Sequence, residues 1–279
     1  MSVRFRLMTR GDIPAGMRLK DGAGWNQTAG DWERLLSASP DGCFAAECEG
    51  RVVGTATTII YEGRVAWIGM VIVDPRHRGK GIGTTLLEHA IRHLDSRGVA
   101  TVKLDATPRG KPLYEQFSFV SEYDIERWSL TRPVRKPAGG TVVRDIGDAL
   151  QLDREVFGAD RSTLLRSVAA ETPDFALVAT QAGAVSGYAF GRRGSRADHV
   201  GPWVAPDEAV AATLLSEFLR RSERELVFID CVRGNPWAVR LAKAHGFEHS
   251  RSLTRMVRGT NPFPGRPELM GAILGPEFG

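Results

Sequence analysis

The same order of strands and helices occurs twice along this chain of 279 residues. Thr85-Leu86-Leu87 matches Thr213-Leu214-Leu215, and Ser118-Phe119 matches Gly246-Phe247, both at an offset of 128 residues (213 − 85 and 246 − 118). Two helices that align at one offset indicate an internal duplication, whereas two copies are too few for a solenoid. The sequence therefore predicts two tandem α/β domains, each with a mixed sheet.

A short linker is predicted between the two copies. The segment TRPVRKPAGG, residues 131–140, contains prolines, glycines and basic residues with almost nothing apolar, which is typical of a connecting segment. The predicted domains are 1–131 and 141–279, with the linker at 132–140.

Composition excludes several classes of protein. Cys43, Cys48 and Cys231 are too few and too widely spaced for a disulfide framework or a zinc site, so free buried thiols and no metal are expected. No segment approaches the roughly 18 apolar residues of a membrane helix, and residues 1–14, MSVRFRLMTRGDIP, contain no apolar stretch of the kind that a signal sequence needs. A cytoplasmic protein with no membrane partner is therefore expected. The net charge of +4, without basic blocks among aromatics, indicates no nucleic-acid partner.

The strongest local signal is VIVDPRHRGKGIGTTLLEHAI, residues 71–91. Apolar residues recur at helical spacing from Ile82 to Leu94, which predicts a helix that begins between Gly79 and Gly83, directly after a strand. Glycines there let main-chain N–H groups approach a ligand, and the start of a helix has free N–H donors and positive potential. This junction therefore predicts a phosphate-binding loop, to which neighbouring basic side chains add charge.

Two common phosphate-binding motifs do not fit this loop. A Walker loop needs Ser or Thr after its lysine, but Lys80 is followed by Gly81. A dinucleotide-binding fingerprint would have its third glycine at Thr84 and would follow the first strand. What remains, Arg78-x-x-Gly81-x-Gly83, resembles motif A of the GNAT superfamily of N-acetyltransferases. The duplicated chain resembles the tandem, two-domain members of that family.

The resemblance implies acetyl-coenzyme A as the acetyl donor. It places the pyrophosphate on the N–H groups of the loop and the pantetheine along the preceding strand. The residues so implied in donor binding are Val71, Val73, Arg76, Arg78, Gly79, Lys80, Gly81, Ile82, Gly83 and Thr84.

The segment KPLYEQFSFV resembles the end of the family's fourth helix. The resemblance implies that Tyr114 is the general acid for the departing thiolate and that a backbone N–H near Val71 stabilises the oxyanion. The alternative is that Tyr114 packs between Leu113 and Phe117 with its hydroxyl at the surface. Ser118 replaces the glycine usual in the family, at a left-handed position where a side chain costs about 1 kcal/mol.

Residues 22–36, GAGWNQTAGDWERLL, lie where the family builds its acceptor pocket. Aromatic rings beside amides suit a polar acceptor, and the candidate acceptor-binding residues are Trp25, Asn26, Gln27, Asp31 and Asp105. The alternative is that Thr28 caps a helix and Trp32 faces the core. The general base stays open between Asp105, Glu47, Glu49 and water.

The second copy has lost the predicted loop. Three residues fewer separate its proline from the helix, and Asp207 and Glu208 at the helix start would repel a pyrophosphate. Ala242 occupies the position that corresponds to Tyr114. We therefore expect a degenerate domain that shapes the acceptor cleft or stabilises the pair.

The function that these features predict is N-acetylation of a small polar amine by a monomer or homodimer. Two alternatives stay open: a coenzyme A-binding sensor without catalysis, and an acetyltransferase for protein amines.

Overall fold

The computed structural model describes residues 2–133 and 145–279, so most of the predicted linker, 132–140, lies outside the described residues. The strands of the first half are β1 (Val3–Leu7), β2 (Cys43–Cys48), β3 (Arg51–Tyr61), β4 (Val65–Val73), β5 (Thr101–Ala106) and β6 (Val120–Thr131). Its helices are α1 (Ile13–Gly22), α2 (Ala29–Ala38), α3 (Ile82–Ser96) and α4 (Lys111–Glu115).

From its first helix to its fifth strand, the described part of the second half repeats the order of elements that follows β1 in the first half, and a short strand is added after it. Its helices are α5 (Gly147–Phe157), α6 (Ser162–Glu171), α7 (Glu208–Arg221) and α8 (Ala238–Ala244). Its strands are β7 (Leu177–Gln181), β8 (Ala184–Arg193), β9 (Asp198–Val204), β10 (Leu226–Val232), β11 (Glu248–Gly259) and β12 (Met270–Ala272). The predicted tandem plan of mixed α/β units is confirmed.

The two halves exchange their long final strands within one sheet of twelve strands in the described ranges. The strand order is β1-β2-β3-β4-β5-β11-β6-β10-β12-β9-β8-β7. β11, from the second half, pairs antiparallel with β5, and β6, from the first half, pairs antiparallel with β10. β6 and β11 also pair with each other. A division of the sequence at residue 131 therefore does not divide the sheet.

A cleft opens between β4 and β5. These parallel strands pair only from Val65 to Trp67 on β4. Farther along, the register of β4 against β3 shifts by a bulge, and Met70 adopts φ 51°, which is uncommon for a side chain of its size. Thr55 Oγ1 donates a hydrogen bond to the Met70 carbonyl at 2.8 Å and holds the bulge. Beyond this bulge, β4 and β5 form no further main-chain pairs and separate.

The corresponding opening in the second half is filled by the chain itself. β9 and β10 pair at Val227–Ile229 of β10 and then separate, and β12 lies between them, paired with both. The Ile273 N–H donates to the Asp230 carbonyl at 3.1 Å and continues this insertion. A Cβ on Gly201 would lie 1.9 Å from the Ile273 carbonyl oxygen, so only glycine permits the approach.

The first half's part of the sheet buries both of its faces. On one, the predicted stripe of α3 is buried in a cluster with Ala56 of β3 and Ile68 of β4, and we call this the α3 face. On the other, α1, α2 and the last residues of the chain cover Trp67 and Met70, and we call this the α2 face. The three cysteines are free and buried, as expected.

Residues 275–279 are fixed on the α2 face by hydrogen bonds from both halves. Tyr61 Oη donates to the Phe278 carbonyl at 2.8 Å, and Trp67 Nε1 donates to the Pro276 carbonyl at 2.9 Å. Arg161, from the second half, donates to the Gly279 main-chain oxygen at 2.6 Å. Among the described residues, no helix is both long and apolar enough to span a bilayer.

Candidate active site

The glycine-rich loop adopts a conformation that side chains disfavour. Gly79 has φ 73° and Gly81, which caps α3, has φ 76°, and both values lie in the left-handed region where glycine is preferred. A Cβ at either position would meet no atom within 4 Å. The glycines are therefore required by the turn, and the space above the loop is open to a ligand.

The N–H groups of residues 79–84 are free donors. Within the described part of the chain none of them donates a hydrogen bond, and the first donor of the helix is Thr85, which bonds to the Gly81 carbonyl at 3.0 Å. Consecutive free N–H groups at the positive end of a helix of fifteen residues suit a diphosphate. The residues present therefore fit the pyrophosphate of coenzyme A.

The three basic side chains of the loop differ in position. Arg78 lines the cleft, and its Nε donates to the Val73 carbonyl at 3.0 Å. Arg76 is exposed and lies 3.5 Å from the carboxylate of Asp74, and Lys80 is exposed. Neither Arg76 nor Lys80 lines the cleft, so the predicted role of their side chains in donor binding stays a prediction.

The cleft between β4 and β5 has a volume of about 620 Å³ and runs from the loop to the α2 face. The residues predicted for donor binding that line it are Val71, Val73, Arg78, Gly79, Gly81, Ile82, Gly83 and Thr84. Tyr114, Asp105, Trp25 and Gln27 also line it. The structure thus brings most of the predicted site residues together in one cavity.

Tyr114 lies half-buried on α4 with its ring edge-on to Phe119, at a centroid distance of 6.1 Å. Its hydroxyl forms no hydrogen bond with any residue that the structure describes. Burial raises the pKa of Tyr114 to about 12, so the hydroxyl carries its proton at neutral pH. Ser118 adopts φ 64°, the left-handed position expected from the sequence.

Asp105 is held by an ion pair. Arg255, from the exchanged strand β11, donates to its two carboxylate oxygens at 2.9 and 3.0 Å, and both side chains are almost fully buried. Burial raises the pKa of Asp105, while Arg255 acts to lower it. A carboxylate occupied by a bidentate guanidinium is not a free base.

Asn26 and Asp31 were predicted to bind the acceptor, but the structure corrects this because neither residue lines the cleft. Asn26 is saturated by residues of the second half: its Nδ2 donates to the Ala197 carbonyl, and its Oδ1 accepts from the N–H groups of Arg196 and Ala197. Asp31 closes a capping box with Thr28 and accepts from Arg192. Their polar groups are thus used in structure.

Trp32 follows the alternative interpretation and is fully buried in the core. Glu47 accepts a hydrogen bond from Arg6 at 2.8 Å, and Glu49 lies in the turn after β2. Neither glutamate lines the cleft, so neither is placed to act as the base there.

Four residues of the second half complete the cleft: Arg251, Leu253, Pro276 and Glu277. Glu277 is buried, accepts from Gln27 Nε2 at 2.8 Å and from Arg192, and has its pKa raised chiefly by burial. Sequence reasoning missed these residues because it assigned each half its own strands. No local signal in the sequence marks them.

The second half has no corresponding loop. α7 begins after Asp207, whose carboxylate accepts from the Val210 N–H at 2.9 Å and so uses a donor of the helix start. β12 occupies the adjacent opening, as described above. In the described ranges, no group of three or more metal-ligating side chains occurs.

Comparison with known proteins agrees with this architecture. Residues 18–119 match the family described as Acetyltransferase (GNAT) family, and residues 149–270 match the Acetyltransferase (GNAT) domain. The holothin acyltransferase of Pseudoalteromonas sp. (strain SANK 73390) is 26% identical over 260 residues, which cover 91% of this chain and 87% of that protein. An uncharacterised N-acetyltransferase of Bacillus subtilis (strain 168), YitH, is 27% identical over 207 residues, 72% of each chain.

Solved structures show the same fold over the full length. A proposed acetyltransferase of Pyrococcus horikoshii superposes with a TM-score of 0.84 at 25% identity, covering 99% of this chain and 96% of that one. A tandem GNAT protein from the clavulanic acid biosynthesis pathway superposes with a TM-score of 0.63 at 17% identity, covering 92% and 98%. Each half of the chain thus matches a GNAT domain, and the chain is a tandem N-acetyltransferase of the GNAT superfamily.

Proposed function

We propose that this chain transfers the acetyl group of acetyl-coenzyme A to the amine of a small polar molecule, in the cleft between β4 and β5. The observation that carries the proposal is the row of free N–H groups at residues 79–84, which opens into the same cavity as Tyr114. The N–H groups would hold the pyrophosphate, and the separated edge of β4 near Val71 and Val73 would hold the pantetheine arm.

The proposed reaction is direct attack of the acceptor amine on the thioester, with roles for Tyr114 and for the main chain of β4. The amine gives its proton to water in the cleft, its nitrogen forms a bond to the carbonyl carbon, and the carbon–sulfur bond then breaks. Tyr114 would give its proton to the departing thiolate, which its protonated, unbonded hydroxyl permits. A main-chain N–H at the bulge of β4 would stabilise the oxyanion.

The covered α2 face favours a small acceptor over a protein amine. The main chain of Glu277 lies against Gly69 on β4, where an added Cβ would be 2.9 Å from the Glu277 carbonyl oxygen. Residues 275–279 are fixed by three hydrogen bonds and close this end of the cleft. An extended peptide would need them to move.

Coenzyme A binding and turnover test the proposal. We expect Gly81→Glu to abolish coenzyme A binding measured by calorimetry, because its carboxylate would repel the pyrophosphate. Gly98→Glu is the matched control: Gly98 follows the other end of α3, has φ 70° and has open space above it. The same backbone strain there should leave binding intact.

Tyr114→Phe should reduce the rate of thiol release from acetyl-coenzyme A with an amine panel by about 100-fold or more, with unchanged coenzyme A affinity. Binding without thiol release in the unaltered protein would instead favour a coenzyme A sensor. Failure to bind coenzyme A would contradict the assignment of residues 79–84 as its binding loop. Full activity of Tyr114→Phe would contradict the assignment of Tyr114 as the general acid.

A further inference from the structure

Arg251 reaches the cleft of the first half because of the strand exchange. It follows a register shift on β11 and lies opposite Arg127 of β6. Alternation along the strand puts Arg251, Leu253 and Arg255 on one side. Leu253 belongs to the core beneath α2, and Arg255 lies over the Trp67 ring at 4.5 Å, so this is the α2 face. Arg251 therefore lines the cleft from the side opposite the glycine-rich loop.

The guanidinium of Arg251 has no partner within the described residues. It forms neither a hydrogen bond nor an ion pair there, and its Nε is buried without an acceptor. Burial and the neighbouring Arg127 lower the pKa of Arg251 to about 10, which leaves it charged at neutral pH. The carboxylates of Asp230 and Glu277 act to raise the pKa of Arg251, but each forms its ion pair with another arginine. A partly buried cation without an ion pair of its own is costly, so this arrangement points to an anion supplied from outside.

The other arginines of this region show the contrast. Arg127 donates to both oxygens of Asp230 at 2.7 and 2.6 Å, and Arg255 binds Asp105 in the same way. Arg192 pairs with Asp31 and Glu277. The two acidic residues that line the cleft, Asp105 and Glu277, are thus each paired with an arginine other than Arg251. The charge of Arg251 is therefore not neutralised by an ion pair at the end of the cleft on the α2 face, where the acceptor would bind.

We propose that the acceptor carries an anionic group, a carboxylate or a phosphate, besides its amine, and that Arg251 binds this group. The proposal rests on the proposed function and narrows its substrate class. A planar guanidinium fits both anions through paired hydrogen bonds. The pyrophosphate of the donor is assigned to the opposite face, at residues 79–84, so it does not use Arg251.

Matched acceptor pairs test this assignment. Each pair differs by one anionic group: phenylalanine and phenethylamine, tyrosine and tyramine, glucosamine 6-phosphate and glucosamine. We expect the anionic member of at least one pair to have a kcat/KM at least tenfold higher, the range of a charged hydrogen bond. The amino acids and the sugar phosphate distinguish a carboxylate from a phosphate acceptor.

Two variants connect the preference to Arg251. Arg251→Gln should remove most of the preference and leave the KM for acetyl-coenzyme A unchanged, while Arg251→Lys should keep part of it. The matched control is Arg258→Gln, on the same strand, whose partner Asp95 is at the surface; it should keep the full preference. Unchanged coenzyme A binding shows that each variant is folded.

Acceptor binding by calorimetry, without coenzyme A, separates this proposal from the proposed function. Anionic members that bind more tightly than their neutral partners, and lose that advantage in Arg251→Gln, would support it even if no amine were acetylated. Neutral members that react and bind as well as anionic ones would overturn it, as would a preference that survives in Arg251→Gln. Absence of coenzyme A binding would refute only the proposed function.

Discussion

The ion pair between Arg255 and Asp105 joins the exchanged strand β11 to β5, and its removal should be strongly destabilising. Both side chains are at most 2% exposed. Arg255→Met leaves the buried Asp105 carboxylate without a counter-ion, which costs about 3–5 kcal/mol. The contacts of the guanidinium with the Trp67 ring at 4.5 Å and with Tyr123 Oη at 2.6 Å are lost as well.

A surface pair on the same strand is the control. Arg258 binds Asp95 through two hydrogen bonds, but the side chains are 29% and 47% exposed. Exposed pairs contribute about 0.2–1 kcal/mol, so Arg258→Met should change the free energy of unfolding little. Urea denaturation followed by circular dichroism measures both variants at pH 7.

A double-mutant cycle identifies the partner. Asp105→Asn in the Arg255→Met background removes the unpaired charge, so the double variant should lose about 2 kcal/mol less than the sum of the two single variants.

The direction in which stability changes with pH also follows from the structure. Burial raises the pKa of Asp105, so in the folded state this group keeps its proton to a higher pH than in the unfolded state. Its contribution to stability is therefore lost as the pH rises through that window. Because Arg255 acts to lower the pKa of Asp105, its removal raises that pKa further, so acidification should stabilise Arg255→Met more than the unaltered protein and reduce the penalty. Equal costs for Arg255→Met and Arg258→Met, or additive costs in the cycle, would refute the pairing of β11 with β5.

Two further measurements test other buried groups. Burial lowers the pKa of His199 to about 4, so between that pH and about 6.5 only the unfolded state takes up the proton. Acidification through this window should therefore lower the free energy of unfolding by up to about 3 kcal/mol. In urea titrations, His199→Gln should show a flatter dependence of stability on pH, and an unchanged dependence would contradict this. Phe278 is fully buried, so Phe278→Ala should lower the free energy of unfolding by about 3–5 kcal/mol. Val120→Ala is the control: its side chain is 62% exposed, and the free energy of unfolding should change by under about 0.5 kcal/mol. A small loss for Phe278→Ala would show that residues 275–279 are not packed as described.

The local features of the site could be predicted from the sequence because short-range chemistry determines them. The apolar spacing from Ile82 to Leu94 gave the buried side of α3, and glycine at 79 and 81 marked left-handed turns. The resemblance of KPLYEQFSFV to a family motif predicts Tyr114 as a site residue. That motif has a residue in the left-handed conformation after its helix, and Ser118 adopts this conformation here. In each case the deciding interactions lie within a few residues.

The features that were missed depend on contacts between distant segments. β6 and β11 correspond under the duplication, so pairing within a half and pairing across halves satisfy the same strand pattern. The polar groups of Asn26 suit an acceptor as well as they suit the main chain at Ala197, some 170 residues away. Arg251 and Glu277 became site residues only through the exchange and the path of residues 275–279.

The strand exchange also constrains how the protein is made. When the ribosome has released residues 1–131, β5 still lacks its final antiparallel neighbour, which is synthesised more than a hundred residues later. The nascent first half therefore either exposes an open sheet edge, a surface prone to aggregation, or folds β6 back onto β5 and must release it afterwards. Neither half alone contains all the strand neighbours that it has in this sheet, so a chain cut between the halves should regain the twelve-stranded order only when both fragments are present together.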